Sequence, residues 1–173
     1  MPSYTPPLRD MQFLMHEVFK LTDDYQQMPA FAEVDADTVN AVLEGAGKFA
    51  AEVAFPLNMS GDEEGCTLNK TTHAVSTPKG FKSAYQQYFD GGWPALSCAT
   101  QYGGQGLPIA LNSALYEMLN SANQAWAMYP GLSHGAYEAL HAHGSPEQKE
   151  LYLPKLTSGE WTGTMCLTEP QCG

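Results

Sequence analysis

The 173-residue sequence predicts an all-α domain that ends in one β-strand. Apolar residues recur every three or four positions through most of the chain, which is typical of helices that bury one face. Prolines and glycines stand near most of the expected helix ends. Only residues 161–168 alternate with the two-residue period of a strand.

The first helix is predicted at about residues 7–22. Pro6 and Pro7 favour a helix start, and an apolar stripe of helical spacing begins at Leu8. Residues 23–36 show no clear period. They are predicted to form a connecting segment with some helical character.

The second helix is predicted at about residues 37–57, with Asp35 or Asp37 as its cap. Pro56 is expected to kink or end it, because proline has no amide hydrogen to donate. Residues 59–79 show no sustained period and are predicted to be a solvated loop.

A short helix at about residues 81–89 is expected to end at Gly91 and Gly92. The glycine-rich stretch that follows, residues 101–108, matches neither the dinucleotide-binding fingerprint nor the phosphate-binding loop, and no strand precedes it. These glycines therefore predict a tight turn where two backbone segments approach closely.

The clearest helical pattern runs from Pro108 to about residue 128, where Pro130 and Gly131 are expected to interrupt it. A further helix is predicted from Leu132 to about His143, followed by a stop at Gly144.

A capping box starts the last predicted helix. In Ser145-Pro146-Glu147-Gln148, the serine oxygen and the glutamine side chain can satisfy free backbone amides reciprocally. Gly159 is expected to end this helix, which carries the apolar side chains of Leu151, Tyr152 and Leu156.

The predicted strand spans Trp161–Thr168, in which Met165 and Leu167 share one face, and Pro170 should end it. A lone strand leaves an unpaired edge. We therefore expect a sheet beyond Gly173, in a longer protein of which this chain is the first part.

Composition excludes several classes of function. With 8 Lys+Arg against 19 Asp+Glu the formal charge is −11, which disfavours nucleic-acid binding. No signal peptide or transmembrane segment is evident, so a cytoplasmic protein is expected. The four cysteines have no metal-binding spacing, and reduced thiols are expected.

No catalytic residue can be assigned from spacing. His134, His141 and His143 lack partners at metal-ligand spacing, so no metal site is predicted. Ser133 and His134 are adjacent and would point about 100° apart on a helix, which excludes a nucleophile and base pair. Ser133 is predicted to be a helix cap.

Three sequence blocks in order carry a family resemblance. They are Tyr102–Leu107, the pair Gly144–Lys149 and Tyr152–Leu156, and the terminal run Leu167–Gly173. Together they resemble the acyl-CoA dehydrogenase family, whose TEPxxGSD-type signature the terminal run matches. The leader Met1–Phe19 is similar to that of long bacterial members, including the 3-methylmercaptopropionyl-CoA dehydrogenase branch.

The resemblance implies a helical domain at residues 1–160 and the start of a middle β-domain at 161–173. In the family FAD is bound between domains, the substrate is an acyl-CoA, and an electron-transfer flavoprotein or another acceptor reoxidises the flavin. Full-length members form dimers or tetramers. Their catalytic glutamate lies in a carboxy-terminal domain, so Glu169 is expected to be structural and this chain alone inactive.

The resemblance also implies which residues bind ligands. Positions that contact FAD in the family are matched by Met165, Leu167, Thr168 and Gly173. Positions that line the acyl pocket are matched by Met128, Tyr129, Leu132 and Gly135. Two alternatives stay open at this point: an acyl-CoA oxidase of the same superfamily, and a stand-alone helical binding module without catalytic activity.

Overall fold

The computed structural model describes residues 3–171 and confirms the all-α prediction. The helices are α1 (Leu8–Gln12), α2 (Leu21–Gln26), α3 (Ala36–Phe49), α4 (Pro56–Glu64), α5 (Phe81–Asp90), α6 (Ile109–His143) and α7 (Pro146–Ser158). Two π-helical segments, Phe13–Val18 and Ala50–Ala54, continue α1 and α3, and 3-10 turns at Trp93–Ala95 and Thr100–Tyr102 join α5 to α6. Strands β1 (Thr67–Leu68) and β2 (Val75–Ser76) form an antiparallel hairpin.

The core lies between α3 and the first half of α6. Leu43 of α3 and Leu115 and Leu119 of α6 are completely buried there. Burial of each such side chain is worth about 1.5–3 kcal/mol. A smaller cluster, formed by Cys98, Tyr137, Leu153 and Leu156, holds α7 against the second half of α6.

The predicted cap of α3 is confirmed, but the predicted end is wrong. The Asp35 carboxylate accepts a 2.8 Å hydrogen bond from the amide of Thr38, and this bond lowers the pKa of Asp35. Helical structure continues past Pro56, which is the first residue of α4. At this position the missing N–H of proline is least harmful. The π-helical segment before it accommodates the ring, with the amide of Phe55 donating to the carbonyl of Ala50.

Two other segments of the first half differ from prediction. The helix predicted at 7–22 is divided by Lys20, whose φ of 51° is left-handed. The loop predicted at 59–79 contains the end of α4 and the β1–β2 hairpin. Asn69 shapes the hairpin, because its side-chain oxygen accepts hydrogen bonds from the amides of Thr71 and Thr72.

The glycine-rich turn is confirmed. Gly103 and Gly106 have φ values of +86° and +66°, which side chains rarely tolerate. Gly104 contacts the backbone of Cys98 so closely that an added Cβ would lie 1.9 Å from its carbonyl oxygen. The turn is tied to the residues before the 3-10 segment Thr100–Tyr102, because the amide of Gly106 donates to the carbonyl of Cys98.

The sequence predicted a break in α6 at Pro130, but the structure has the break at Asn123. Asn123 has φ −161° and ψ 85°, while Pro130 lies inside the second half of the helix. Pro130 is buried, so its ring packs in the core and offsets the single hydrogen bond that it removes. Asn123 can break the helix because its side chain replaces lost backbone hydrogen bonds.

The start and the end of α7 are as predicted, and of the three apolar side chains named from the sequence, that of Leu156 is buried. The Ser145–Gln148 capping box is formed, and Gly159 ends the helix with a φ of +70°. Leu153 is completely buried, whereas Leu151 and Tyr152 lie at the exposed surface.

The strand predicted at 161–168 is not formed in the described chain. Residues 162–168 have neither helical nor strand structure. A strand exists only through its hydrogen-bonded neighbour, and the one sheet among residues 3–171 is the distant β1–β2 hairpin. The alternating pattern is therefore a local preference without a partner.

Two glycine substitutions should change stability in opposite directions. We expect Gly104→Ala to lower the free energy of unfolding by about 2 kcal/mol or more, because the new methyl group meets backbone atoms that cannot move away easily. Gly135→Ala should raise it by about 1 kcal/mol, since Gly135 is helical and its Cβ would meet nothing within 4 Å. Urea denaturation measures both, and equal midpoints for the two variants would contradict this account.

Candidate functional site

The candidate site is the surface where the chain after α7 comes back to α6. Residues 160–168, which follow α7, are called the returning chain. The amide of Gly163 donates a 3.1 Å hydrogen bond to the Ser133 hydroxyl oxygen. A Cβ at Gly163 would lie 2.5 Å from the Cβ of Ala136 and 2.9 Å from the carbonyl oxygen of Leu132. Only glycine permits this approach. Ser133 therefore lies inside α6 and binds the returning chain, and its predicted role as a helix cap is wrong.

Helix α7 fixes the start of the returning chain. The amide of Trp161 donates to the carbonyl of Lys155 at 3.1 Å, and the Lys155 ammonium lies 5.0 Å from the centre of the Trp161 ring. Lys155 also pairs with Glu160 at 2.7 Å. The Trp161 ring packs against Tyr152, with ring centres 5.8 Å apart. Residues 160–163 are thus held at both ends, by α7 and by α6.

An open groove of about 430 Å³ lies between α6, α7 and the returning chain. Its lining is mostly apolar and includes Ala136, Leu140, Tyr152 and Leu156. The groove adjoins the Gly163 contact. A large apolar group of a partner domain or ligand could therefore be accommodated beside the returning chain.

The predicted flavin-contacting residues follow this anchor and lie on the surface. The side chains of Met165 and Leu167 are 61% and 71% exposed, and Thr168 is exposed as well. Gly173 lies outside the described residues. The structure places Met165, Leu167 and Thr168 in one segment, but it does not bring them against α6.

The predicted acyl-contacting residues lie on the second half of α6. Met128 and Tyr129 are 58% and 48% exposed, and Leu132 is half-buried. Gly135 is exposed, with open space where a side chain would be. Met128, Leu132 and Gly135 follow the i, i+4, i+7 spacing of one helix face. This face and the returning chain meet at Leu132 and Gly163.

Behind this face the interior is polar but uncharged near pH 7. Burial raises the pKa of the Cys98 thiol to about 11 and that of Tyr137 to about 12. Burial lowers the pKa of His134, against the opposing effect of the Glu138 carboxylate. The Nε2 atom of His134 lies 3.2 Å from Nδ2 of Asn112 and 3.5 Å from a Glu138 oxygen. Ser133 and His134 thus have different partners, and they form no nucleophile and base pair.

Residues 3–171 contain neither a metal-binding cluster nor a membrane-spanning helix. No three histidine, cysteine, aspartate or glutamate side chains lie close enough together to hold a metal ion. In the same part of the chain, no helix has the length and apolar character needed to cross a membrane.

Three residues that build this surface were not predicted from the sequence, namely Ser133, Gly163 and Asn123. Gly163 carried a usable signal, because a glycine inside a strand-like pattern often marks close approach of another backbone. Ser133 carried none, since its partner lies 30 positions away in the sequence. Asn123 offered a local signal as a cap for the amide of Trp126, but its bond to Ala54, 69 positions away, left none.

Comparison with known proteins identifies the class of domain. The family model described as the acyl-CoA dehydrogenase N-terminal domain matches residues 37–160. The chain belongs to the acyl-CoA dehydrogenase family.

Three similar proteins cover nearly the whole chain. The 3-methylmercaptopropionyl-CoA dehydrogenase of Ruegeria pomeroyi is 39% identical over 171 residues, which are 99% of this chain and 29% of that protein. A butyryl-CoA dehydrogenase of Syntrophomonas wolfei is 32% identical over 99% of this chain and 28% of its own length. A broad-specificity linear acyl-CoA dehydrogenase of Mycobacterium tuberculosis is 31% identical over 100% of this chain and 28% of its own length. The chain thus spans less than a third of these relatives.

The Ser133–Gly163 bond can be tested by amide hydrogen exchange. We expect Ser133→Ala to speed exchange at the Gly163 amide by about fivefold, because a hydrogen bond of this kind contributes about 1 kcal/mol. Ser113→Ala is the matched control, since Ser113 lies on the same helix and bonds only to the carbonyl of Ile109. Equal exchange at Gly163 in the two variants would show that Ser133 does not hold the returning chain.

Proposed function

We propose that this chain is the amino-terminal part of an FAD-dependent acyl-CoA dehydrogenase that introduces an α,β double bond into an acyl-CoA thioester. Residues 1–160 form its helical domain, and 161–173 begin its middle β-domain. The observation that carries the proposal is the contact of Gly163 with Ser133 and Leu132. It joins the segment expected to border the flavin to the helix face expected to border the acyl chain.

The chemistry of the returning chain fits one edge of a flavin. The pyrimidine edge of the ring system carries hydrogen-bond donors and acceptors, and its flat faces are apolar. Thr168 offers an exposed hydroxyl group, and Met165 and Leu167 offer apolar surface. We infer that these three residues, with Gly173, hold that edge. The bound FAD would supply the hydride acceptor, which no protein side chain can provide.

The second half of α6 fits an acyl chain. Met128, Tyr129 and Leu132 present apolar surface, and Gly135 leaves space beside them. Two relatives are named for 3-methylmercaptopropionyl-CoA and butyryl-CoA, whose acyl groups are short. We therefore propose a short acyl thioester as substrate, with sulfur-containing chains included.

The proton-abstracting base is proposed to lie outside this chain. Glu169 is exposed beside the turn at residues 170–171 and accepts a 3.3 Å hydrogen bond from the side chain of Gln171, which suits a structural role. The Cys98 side chain is buried and that of His134 is half-buried, and burial shifts both pKa values in favour of the neutral forms. We further propose that the full-length protein is a cytoplasmic homo-oligomer that transfers electrons to an electron-transfer flavoprotein or a similar acceptor.

Anaerobic mixing tests the proposed function. The full-length holoprotein, mixed with butyryl-CoA or 3-methylmercaptopropionyl-CoA without oxygen, should lose its flavin absorbance as the flavin is reduced. Residues 1–173 alone should show no acceptor-dependent turnover, because the base is absent. Rapid reoxidation by oxygen would instead identify an acyl-CoA oxidase. No bleaching with any acyl-CoA would refute the proposal.

Substitution of Thr168 tests the proposed hydrogen bond to the flavin. In the full-length protein, Thr168→Ala should weaken FAD binding or slow flavin reduction by about fivefold or more, since it removes one hydrogen bond to the ring. Thr164→Ala is the control, because it removes a hydroxyl group from the same exposed segment. Unchanged FAD content together with an unchanged reduction rate would exclude the role assigned to Thr168.

A further inference from the structure

The break in α6 is built around one buried side chain. Asn123 is 1% exposed, and its φ and ψ of −161° and 85° leave the helical region in the middle of a 35-residue helix. Buried polar side chains are costly unless they are hydrogen-bonded. Asn123 therefore needs partners, and the structure provides one for each end of its amide.

The two ends of the amide bind different parts of the fold. The side-chain oxygen accepts a 3.1 Å hydrogen bond from the amide of Trp126, three residues ahead, which is the geometry of an N-cap for a new helix. The side-chain nitrogen donates a 3.0 Å bond to the carbonyl of Ala54, in the π-helical segment that continues α3. One side chain thus starts the second half of α6 and ties that start to α3.

The two halves of α6 have different surroundings. Leu111, Leu115 and Leu119 fix the first half in the core. The second half carries the exposed Met128 and Tyr129, and it carries Ser133, which holds the returning chain. A change of direction at Asn123 would move all of these surfaces together.

We propose that Asn123 is a positioning residue that sets the direction of the second half of α6, and through it the shape of the acyl-binding wall. The effect on substrates rests on the function proposed above. The effect on helix direction does not. Residues 124–143 extend about 30 Å, so a rotation of about 10° would displace their end by about 5 Å.

Two variants separate a positioning role from a loss of stability. Asn123→Ala removes both hydrogen bonds. Asn123→Ser keeps a hydroxyl group that can cap the amide of Trp126, but it is too short to reach the carbonyl of Ala54. Asp35→Ala is the matched control, because it also removes an N-cap, from α3 and away from the second half of α6. If Asn123→Ala does not fold, Asn123→Ser decides the outcome.

The first measurement is the ratio of kcat/KM for octanoyl-CoA to that for butyryl-CoA in the full-length holoprotein. Loss of folded enzyme lowers both values equally and leaves this ratio unchanged. A displaced acyl-binding wall changes this ratio, because each CH₂ that contacts apolar surface changes kcat/KM by about fourfold. We expect a change of at least about fourfold in both Asn123 variants and none in Asp35→Ala.

The second measurement is the distance between two spin labels attached to cysteines placed at Ser113 and Ala142, both of which are exposed on α6. Cys66, Cys166 and Cys172 are changed to serine so that they do not take up label. We expect Asn123→Ser to shift the mean distance by about 1 Å or more, because a rotation of about 10° acts mostly across the line that joins the two labels, and we expect Asp35→Ala to leave it unchanged. A shifted distance in a protein without acyl-CoA activity would refute the proposed function and keep the structural role. An unchanged distance, or an unchanged substrate ratio in an active enzyme, would overturn this inference.

Discussion

The packing of α3 against the first half of α6 is the constraint on which the rest of the structure depends. Small side chains make it possible, since Ala46, Ala50 and Ala54 are completely buried on successive turns of α3 and its π-helical continuation. With little side-chain volume between them, two helix backbones can approach closely and exclude water. The leader joins the same core from the other side, where Leu8 and Pro6 lie against Gly47. The remaining elements are attached to this pair of helices.

The candidate site is built where that packing ends. Beyond Asn123 the second half of α6 keeps buried contacts through Trp126 and Tyr137, and hydrogen bonds from polar side chains are added to them. Asn123 binds the carbonyl of Ala54, and Ser133 binds the amide of Gly163. Hydrogen bonds have preferred directions, whereas apolar packing does not, so they define the position of a surface more sharply. The core therefore provides stability, and a few polar contacts determine the geometry of the site.

The limits of sequence-based prediction follow from this division. Asp35 and Ser145 were predicted as caps because each acts on an amide three residues ahead, and helical periodicity revealed the core for the same local reason. The break in α6 was assigned to Pro130 by a local rule, whereas Asn123 breaks the helix by capping the amide of Trp126 and by bonding to a carbonyl 69 residues away. The strand predicted at 161–168 has the right pattern, but within residues 3–171 the sheet formed is the distant β1–β2 hairpin. The predicted site residues came from the family resemblance, and the contacts that support them were not visible in the sequence.

The electrostatics of the site define what this domain can contribute to a reaction. Burial favours the neutral forms of His134, Cys98 and Tyr137 by shifting their pKa values, and the carboxylate of Glu169 is exposed to solvent. A buried neutral group neither takes up nor releases a proton readily near pH 7, and a solvated carboxylate without a pocket cannot be aimed at a substrate carbon. The described residues can therefore bind and orient, through apolar surface on α6 and hydrogen-bonding groups on the returning chain. In the proposed enzyme the proton transfer must then come from outside this domain, which leaves the position of the α6 face as the domain's main influence on which acyl chains react.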